Sequence, residues 1–247
     1  MRNRIFSTDS PKAIKAEAFG WLNAIHYMAP HTLAGVGNLC PNASAGCMAL
    51  CLGEHSGQAG MVKKDTDMNA TRLSRREKAR RFMLERPAYM RDVVRSIELA
   101  ERKAVRLRMQ LCIRMNGSTD IAWEGVGCER NGARHRNLFT AFPGAQFVDY
   151  TKVASRLKRQ LPANYNLTLS HSEVNEAECI AALAKGVNVA VVFAGAKPLH
   201  WRGYYVIDGD AHDLRHLDPR GREGFVIGLS PKGRKAKRDT SGFVVRT

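Results

Sequence analysis

The sequence predicts an α/β fold, a full or partial (β/α) TIM-like barrel with extra N-terminal helices, and three observations lead to it. Six short apolar runs occur from residue 110 onward, and each ends in a polar cluster. Helical or irregular segments separate these runs, and two long helical patterns precede them. Strands that alternate with helical connections are typical of parallel sheets. An open, doubly wound sheet is the alternative architecture.

The N-terminal half is predicted to be mostly helical. Residues 10–27 are predicted as a helix, because a serine can cap it, a proline suits its first turn and apolar residues follow at helical spacing. Two further helices are predicted over residues 69–85 and 87–109. We expect one more strand near residues 31–35.

The C-terminal half is predicted to supply the strands of the sheet. These strands are expected at residues 111–120, 147–152, 167–173, 189–195, 204–210 and 225–229. A chain of 247 residues can enclose one large core, and no linker-like segment divides it. We therefore predict a single domain over residues 1–247, with a cysteine loop at 38–60 and a basic tail at 231–247.

The composition argues against a membrane-spanning or secreted protein. No run of eighteen apolar residues occurs, which argues against a membrane span. The N-terminal residues lack the apolar core of a secretory signal, so we expect a cytoplasmic protein whose six cysteines are reduced. The formal net charge of +16 favours contact with phosphate-rich partners.

Non-specific nucleic-acid binding is therefore one expectation, beside a small-molecule substrate. The best candidate surface is the helical stretch TRLSRREKARRF, at residues 71–82. The basic tail is a second candidate. Solvated surface is the favoured alternative for both segments, because basicity alone is a weak signal.

Three cysteines, Cys40, Cys47 and Cys51, lie within twelve positions of the chain. The spacing of four between Cys47 and Cys51 places their sulfurs on one side of a helix. Thiolates bind iron–sulfur clusters and zinc. An iron–sulfur cluster of the 4Fe-4S or 3Fe-4S type is the favoured interpretation, with the neighbouring polar residues Asn38, Asn42 and Ser44 helping to bind it.

Two alternatives to a cluster stay open. A structural zinc ion needs four ligands, and His55 is the nearest candidate for the fourth. The three thiols are alternatively free cysteines of a core. The other cysteines, Cys112, Cys128 and Cys179, are expected to be structural, although Cys112 or Cys128 could supply a fourth ligand.

Polar residues follow the predicted strands, at the edge where parallel α/β proteins carry their active sites. For a hydrolase or lyase, Lys152 and Arg114 are candidates to stabilise an oxyanion, and Tyr150 to donate a hydrogen bond. The candidate acid–base residues are Asp149, Glu173, Asp208 and His171, with His212 as a second proton shuttle. A salt bridge to a nearby arginine or lysine is the alternative role for each carboxylate.

Five segments carry a family resemblance: LAGVGNLCPNASAGCMALCLGEHSGQA, RMNGSTDIAWE, FVDYTK, LTLSHSE and VIDGDAHDLRHLDPRG. Together they resemble the phage and prophage family of gene product 88-like proteins, over about residues 8–230. The resemblance implies a phage-associated iron–sulfur protein with a barrel-like α/β core and hydrolase activity. It also implies that Cys40, Cys47 and Cys51 are the cluster ligands.

The arrangement also resembles, more distantly, the radical S-adenosylmethionine enzymes, in which three cysteines near the first strand hold a cluster at the mouth of a partial barrel. The spacing here is wider than that family's usual three and two intervening residues. A nucleic-acid-binding or redox-sensing protein with a structural cluster is the third functional hypothesis.

Overall fold

The computed structural model describes residues 5–246, and its centre is a mostly parallel β-sheet. In chain order the strands are β1 (Phe6–Ser7), β2 (Trp21–His26), β3 (Gln110–Arg114), β4 (Cys128–Arg130), β5 (Ala133–His135), β6 (Gln146–Thr151), β7 (Tyr165–Ser170), β8 (Val189–Ala194), β9 (His200–Trp201), β10 (Tyr204–Asp208), β11 (Val226–Leu229) and β12 (Val245–Arg246).

Eight α-helices accompany these strands in the described part of the chain. They are α1 (Pro11–Glu17), α2 (Ala45–Ala49), α3 (Leu52–His55), α4 (Ala70–Leu84), α5 (Arg86–Leu107), α6 (Leu138–Ala141), α7 (Glu176–Leu183) and α8 (Gly233–Lys237). Short 3-10 helices cover Gly57–Gly60, Trp123–Gly125, Ala154–Lys158 and Arg215–Leu217. No helix within residues 5–246 is long and apolar enough to cross a membrane.

The main sheet has the strand order β1-β2-β3-β6-β7-β8-β11-β10-β9, and β12 pairs with the end of β8. The strands from β2 to β10 in this order are all parallel to one another. The outermost strands, β1 and β9, are two residues long and antiparallel to their neighbours. The expected α/β class is therefore confirmed, but these two short edge strands are not paired with each other in the described sheet, so no closed barrel is shown.

The helices and strands predicted after residue 68 are confirmed. Helices α4 and α5 match the patterns at 69–85 and 87–109. Strands β3, β6, β7, β8, β10 and β11 each begin within two residues of a predicted start. The antiparallel hairpin of β4 and β5 was not anticipated from the sequence, because each strand has only three residues.

The prediction for residues 10–27 is wrong in its second half. Ser10 caps α1 as expected, accepting a hydrogen bond from the Ala13 amide at 3.3 Å. The helix then ends before Gly20, whose φ of +77° reverses the chain into β2. Strand β2 is buried on both faces between β1 and β3, so its near-continuous apolar run imitates a helical pattern. The N-terminal strand thus lies ten residues before the expected position at 31–35, where the chain turns.

Helix α5 covers one face of the sheet with an apolar stripe. Its buried residues are Tyr89, Met90, Val93, Val94, Ile97, Ala100 and Ala104. They recur at helical spacing and join a core with the inward side chains of β2, β3 and β6. Helix α7 packs in the same way against β7 and β8 through Cys179 and Leu183.

The opposite face is covered by α1 and by the segment that follows β10. In that segment the carbonyl of Asp210 accepts a hydrogen bond from Lys15 of α1 at 2.7 Å. The rings of Phe19 and His212 lie 4.8 Å apart, and those of Trp21 and His216 lie 4.4 Å apart. The segment after β10 therefore crosses back to the first strands of the sheet.

A buried ion pair lies under this segment. The Arg114 guanidinium, at the end of β3, donates to the Asp213 carboxylate at 2.7 Å. The hydroxyl of Tyr150 donates to the other Asp213 oxygen at 3.2 Å, and the tyrosine ring stacks below Arg114 at 4.5 Å. Burial disfavours the charged guanidinium, but Asp213 together with Tyr150, Tyr27 and Asp149 outweighs it, so the pKa of Arg114 is raised above its ordinary value.

We expect Arg114→Met to reduce the free energy of unfolding by about 3–5 kcal/mol, because it leaves the Asp213 carboxylate buried without its counter-ion. The double variant Arg114→Met/Asp213→Leu should recover most of this loss. Urea denaturation at neutral pH measures both. Arg202→Met, which removes an exposed pair with Glu176, is the control and should cost less than about 1 kcal/mol. Equal losses in Arg114→Met and the control would contradict the role of the pair.

Candidate functional site

The three clustered cysteines lie in the long segment between β2 and α4, at the carboxyl edge of the sheet. Cys40 lies in a turn, Cys47 within α2 and Cys51 immediately before α3, and all three are half-buried free thiols. Burial, with a smaller contribution from the charge of the neighbouring cysteines, raises the pKa of Cys40 to about 11 and that of Cys51 to about 12. The three sulfurs are therefore close enough to interact electrostatically.

The backbone supplies hydrogen-bond donors to two of these sulfurs. The His31 amide donates to the Cys40 sulfur at 3.3 Å, and a backbone hydrogen bond from Gly53 reaches Cys51. His31 has a φ of 36°, which is unusual for a residue other than glycine. Amide donors of this kind stabilise metal-bound thiolates.

His55, the candidate fourth ligand for zinc, contacts a carboxylate. Its Nδ1 atom lies 3.9 Å from the Asp65 carboxylate, and His55 lines a cleft of about 500 Å³. Among residues 5–246, no three histidine, cysteine, aspartate or glutamate side chains are grouped so as to hold a metal ion. Cys112, Cys128 and Cys179 are buried in the core clusters, as expected of structural cysteines.

Arginines of α4 hold the cysteine segment in place. The Arg72 side chain is fully buried, and its guanidinium donates to four backbone carbonyls of that segment, those of Ala59 at 2.8 Å, Asp65 at 2.6 Å, Asp67 at 2.9 Å and Glu54 at 2.9 Å. Arg75 donates to the Gly53 carbonyl, and Arg80 to the Ala34 carbonyl at 3.5 Å. A planar guanidinium with five donors suits this task, because it satisfies several carbonyls at once.

The expected nucleic-acid surface on TRLSRREKARRF is therefore corrected. Arg72 and Lys78 are buried, and Arg75 stacks over the Tyr27 ring at 4.8 Å. Arg76 pairs with Glu54 at 3.4 Å, and Arg81 pairs with Asp92 at 2.7 Å. These side chains are used within the fold, because the helix packs against an irregular segment rich in unpaired carbonyls.

The start of α2 is held by Glu173, which follows β7. Glu173 accepts hydrogen bonds from the Gly46 amide at 2.7 Å and from the Ser44 hydroxyl at 2.8 Å. Ser44 in turn accepts from the Cys47 amide at 3.2 Å. A Cβ atom on Gly46 would lie 2.5 Å from the Ser241 hydroxyl and 2.8 Å from Glu173, so glycine is needed for this approach. Glu173 thus positions the turn that carries Cys47.

The predicted residues Asn38 and Asn42 also support the loop. The Asn38 side chain accepts from the Cys40 amide at 2.9 Å. The Asn42 side chain donates to the Lys152 carbonyl at 3.4 Å. Both contacts fix the backbone on either side of Cys40, so the polar residues of the loop determine its shape.

Lys152 connects the cysteine loop to the end of β7. Its ammonium group donates to the Ser170 hydroxyl at 3.1 Å and lies 5.3 Å from the centre of the Phe243 ring. Its positive charge lowers the pKa of the Cys51 thiol against the larger effect of burial, and it also acts on His171. The lysine therefore lies within electrostatic range of both the thiols and His171.

His171 borders an open, charged cleft of about 550 Å³, whose other lining residues include Glu173, Glu176, Arg202 and Arg246. The imidazole is 5% exposed, and its edge meets the Trp201 ring at 5.2 Å. Its Nδ1 atom is buried without a hydrogen-bond partner among the described residues. Burial lowers the pKa of His171 below 6.5, so the ring is neutral at neutral pH and can accept a proton.

A family model described as gene product 88 matches residues 4–247. The chain belongs to the gene product 88 family. This match confirms the resemblance based on the cysteine loop and the four later segments. No curated protein and no solved structure gives a significant match.

Other candidate residues of this gene product 88 family member have partners that do not belong to the cysteine loop. Arg114 and Tyr150 form the buried cluster with Asp213 described above. Asp149 is 1% exposed and accepts from the Asn116 amide at 2.6 Å and the Tyr165 hydroxyl at 3.2 Å. Asp208 is exposed on β10 and pairs with the Lys197 ammonium. The structure thus brings together Lys152, His171 and Glu173 near the cysteine loop.

The family segment NGSTDIAWE contains supporting residues that the sequence interpretation left without a role. The Asn116 side-chain oxygen accepts from the Thr119 hydroxyl, the Ile121 amide and the Trp123 indole, at 2.9, 3.0 and 3.0 Å. Asp120 accepts from the Lys152 amide at 2.8 Å and from Arg156, also at 2.8 Å. The segment therefore fixes the backbone of Lys152, a contact that spans 32 residues of sequence.

Asp149 provides a pH-dependent test of this core. Burial raises the pKa of its carboxyl from 3.8 to about 7. Because the folded chain then retains a proton that the unfolded chain loses, the contribution of this group to the free energy of unfolding falls as pH rises from about 4 to about 7. Asp149→Asn should remove that decrease, as measured by urea denaturation at several pH values.

The matched control for this test is Asp208→Asn. The Lys197 hydrogen bond lowers the pKa of Asp208 below 3.8, so this group is already ionised over that range. Its removal should leave the slope between pH 5 and pH 7 as in the wild type. Parallel curves for wild type and Asp149→Asn would show that Asp149 does not carry the raised pKa.

Proposed function

We propose that this member of the gene product 88 family is an iron–sulfur protein with a hydrolytic site beside the cluster. Cys40, Cys47 and Cys51 are the proposed ligands. The observation that carries the proposal is the arrangement of these three neighbouring thiols, two of which accept backbone amide hydrogen bonds, in a segment held by the buried Arg72.

The donor set fits a cluster better than a single zinc ion. Tetrahedral zinc with Zn–S bonds of about 2.3 Å draws its ligands onto one point. In a cluster each cysteine binds a separate iron, so the cysteine sulfurs lie further apart than they do around a single zinc ion. Three neighbouring thiols, with backbone amide donors to two of their sulfurs, favour the second case. Arg75 and Lys152, whose charges interact with Cys51, would offset the negative charge of the bound group.

A cluster with three protein ligands can have an iron that no residue of the chain binds, and such an iron supplies Lewis-acid chemistry. The chain's own groups would act around it. The Lys152 ammonium, oriented by Ser170 and by the backbone bond to Asp120, would stabilise an oxyanion. The neutral imidazole of His171 would accept a proton from water.

The roles of the remaining candidates follow from their contacts. Glu173 would act as a positioning residue, because both of its oxygens already accept hydrogen bonds from the cysteine turn. Arg114, Asp149 and Tyr150 would support the edge of the sheet from within the core. The cleft next to His171 would admit a small polar substrate, since charged side chains of both signs line it.

Iron analysis tests the ligand assignment. After anaerobic purification we expect a brown protein with iron and sulfide, and Cys47→Ala should lose most of both, because two thiolates cannot retain the cluster. Cys128→Ala is the matched control, since it removes a buried thiol outside the loop and should keep the colour. Iron and an absorption spectrum that survive in Cys47→Ala would rule out Cys47 as a ligand.

Turnover tests the hydrolytic site. With a panel of carboxylic and phosphoric esters, Lys152→Gln should reduce turnover by about 10²–10³-fold at unchanged iron content. His171→Gln should reduce it by about 10²–10⁴-fold. Because the pKa of His171 is lowered, wild-type turnover should rise with pH and reach half of its plateau value below pH 6.5.

The control for the lysine is Lys158→Gln, an exposed lysine on the next turn of the chain. Turnover should be unchanged in this variant. A loaded protein that hydrolyses none of the esters, or whose turnover is indifferent to both Lys152→Gln and His171→Gln, would leave the cluster assignment intact but overturn the hydrolytic role.

A radical S-adenosylmethionine enzyme is the second candidate. The observation in its favour is that the cysteine loop follows β2, the first parallel strand of the sheet. Chemical reduction of the loaded protein with S-adenosylmethionine should then yield its cleavage products. Their formation, together with inactivity on esters, would replace the hydrolytic proposal with this one.

We also infer that the sheet curves into a partial barrel. We further infer that the protein acts in the cytoplasm of a bacterial host. The contacts of Lys15 and Phe19 with the segment after β10 support a curved sheet, because they link its opposite halves. Reduced thiols in the cysteine loop are consistent with a reducing compartment.

A further inference from the structure

We propose that four exposed arginines of α5, Arg91, Arg95, Arg102 and Arg106, form a binding surface for the phosphate backbone of a nucleic acid. All four are solvent-exposed. This arginine stripe lies on a different element from the cysteine loop and does not depend on the proposed chemistry there.

The helical geometry aligns these four side chains. Their spacings of four, seven and four residues place them within an arc of about 60° around the helix axis. The buried face of α5, which includes Val93, Ile97 and Ala100, points in nearly the opposite direction. The first and last arginines are fifteen residue steps apart, which corresponds to about 22 Å along the helix axis. The side chains therefore form one straight row facing solvent.

The charge of the row is not neutralised within the fold. None of the four arginines pairs with a carboxylate in residues 5–246. The three acidic residues of α5 are bound by arginines of other elements. Asp92 pairs with Arg81 at 2.7 Å, and Glu98 and Glu101 pair with Arg130 at 3.6 and 2.8 Å.

Four arginines in a row without acidic partners lower the stability of the folded chain unless a ligand of opposite charge binds them. Like charges four residues apart on a helix repel by a few tenths of a kcal/mol per pair. In the other basic segments, several side chains bind acceptors inside the fold. Arg72 binds carbonyls, and in the C-terminal tail Lys232 pairs with Asp210 and Lys235 with Asp65.

The length of the arginine stripe suits a ligand with regularly spaced negative charges, such as a nucleic-acid backbone. Phosphates along one strand of a duplex recur every 3.4 Å or so, so about 22 Å of helix faces several of them. The exposed arc carries no aromatic side chain that could stack on bases. We therefore infer contact with phosphates alone, without sequence preference, and with a dissociation constant in the range of about 10⁻⁴–10⁻⁶ M at physiological salt.

Fluorescence polarisation with labelled 20-nucleotide DNA and RNA, single-stranded and duplex, tests this surface on the full chain. Four phosphate contacts predict a slope of about −3.6 for the logarithm of affinity against that of salt on duplex DNA, or about 150-fold weaker binding at 200 mM than at 50 mM. The variant R91Q/R95Q/R102Q/R106Q should lose most of this slope. The four positions are exposed, so circular dichroism and the melting temperature should change little.

The matched control is K158Q/K185Q/R220Q/R222Q, which removes the same charge from four exposed positions elsewhere. It should retain the wild-type slope. Equal losses in both variants would show that only net charge matters and would overturn the proposal. Binding to phosphatidylserine vesicles that needs the row, with no row-dependent binding to any nucleic acid, would overturn it in favour of a membrane surface.

Discussion

The buried guanidinium of Arg72 is the contact on which the candidate site most depends. The segment between β2 and α4 contains only short helices, so many of its carbonyls have no partner in regular secondary structure. Four of them converge on Arg72, which is itself capped into place at the start of α4 by Asn69. Buried carbonyls without donors are costly, and a single planar donor group satisfies this set. Without it, the carbonyls of Glu54, Ala59, Asp65 and Asp67 would lose the donor that holds this segment after Cys51.

A second set of contacts joins this segment to the sheet. Glu173 after β7 holds the start of α2, and Asp120 after β3 holds the backbone of Lys152. These residues come from different strands, yet they meet because parallel strands end at the same edge. The family segments LTLSHSE and NGSTDIAWE therefore act largely as supports for the cysteine loop and for the lysine beside it.

The basic composition has two separate structural consequences. The arginines of α4 and Arg114 are used inside the fold, bound to carbonyls or to a buried carboxylate. The arginines on the outer face of α5 have no such partners in the described chain. Net charge alone does not separate these uses, because a buried arginine and an exposed one contribute equally to it.

The sequence by itself determined the α/β class, the long helices α4 and α5, the positions of six strands and the family, because periodicity and ordered motifs are local properties of the chain. It also placed Cys40, Cys47 and Cys51 together, since they are neighbours in sequence. Only the tertiary structure decided that residues 21–26 form a buried strand. It also decided that Glu173 binds the turn before Cys47 in addition to lining the cleft, and that Asp208 pairs with Lys197 on β10. It also decided which arginines are buried. Each of these outcomes depends on contacts between residues distant in sequence, and such contacts leave no local pattern to detect.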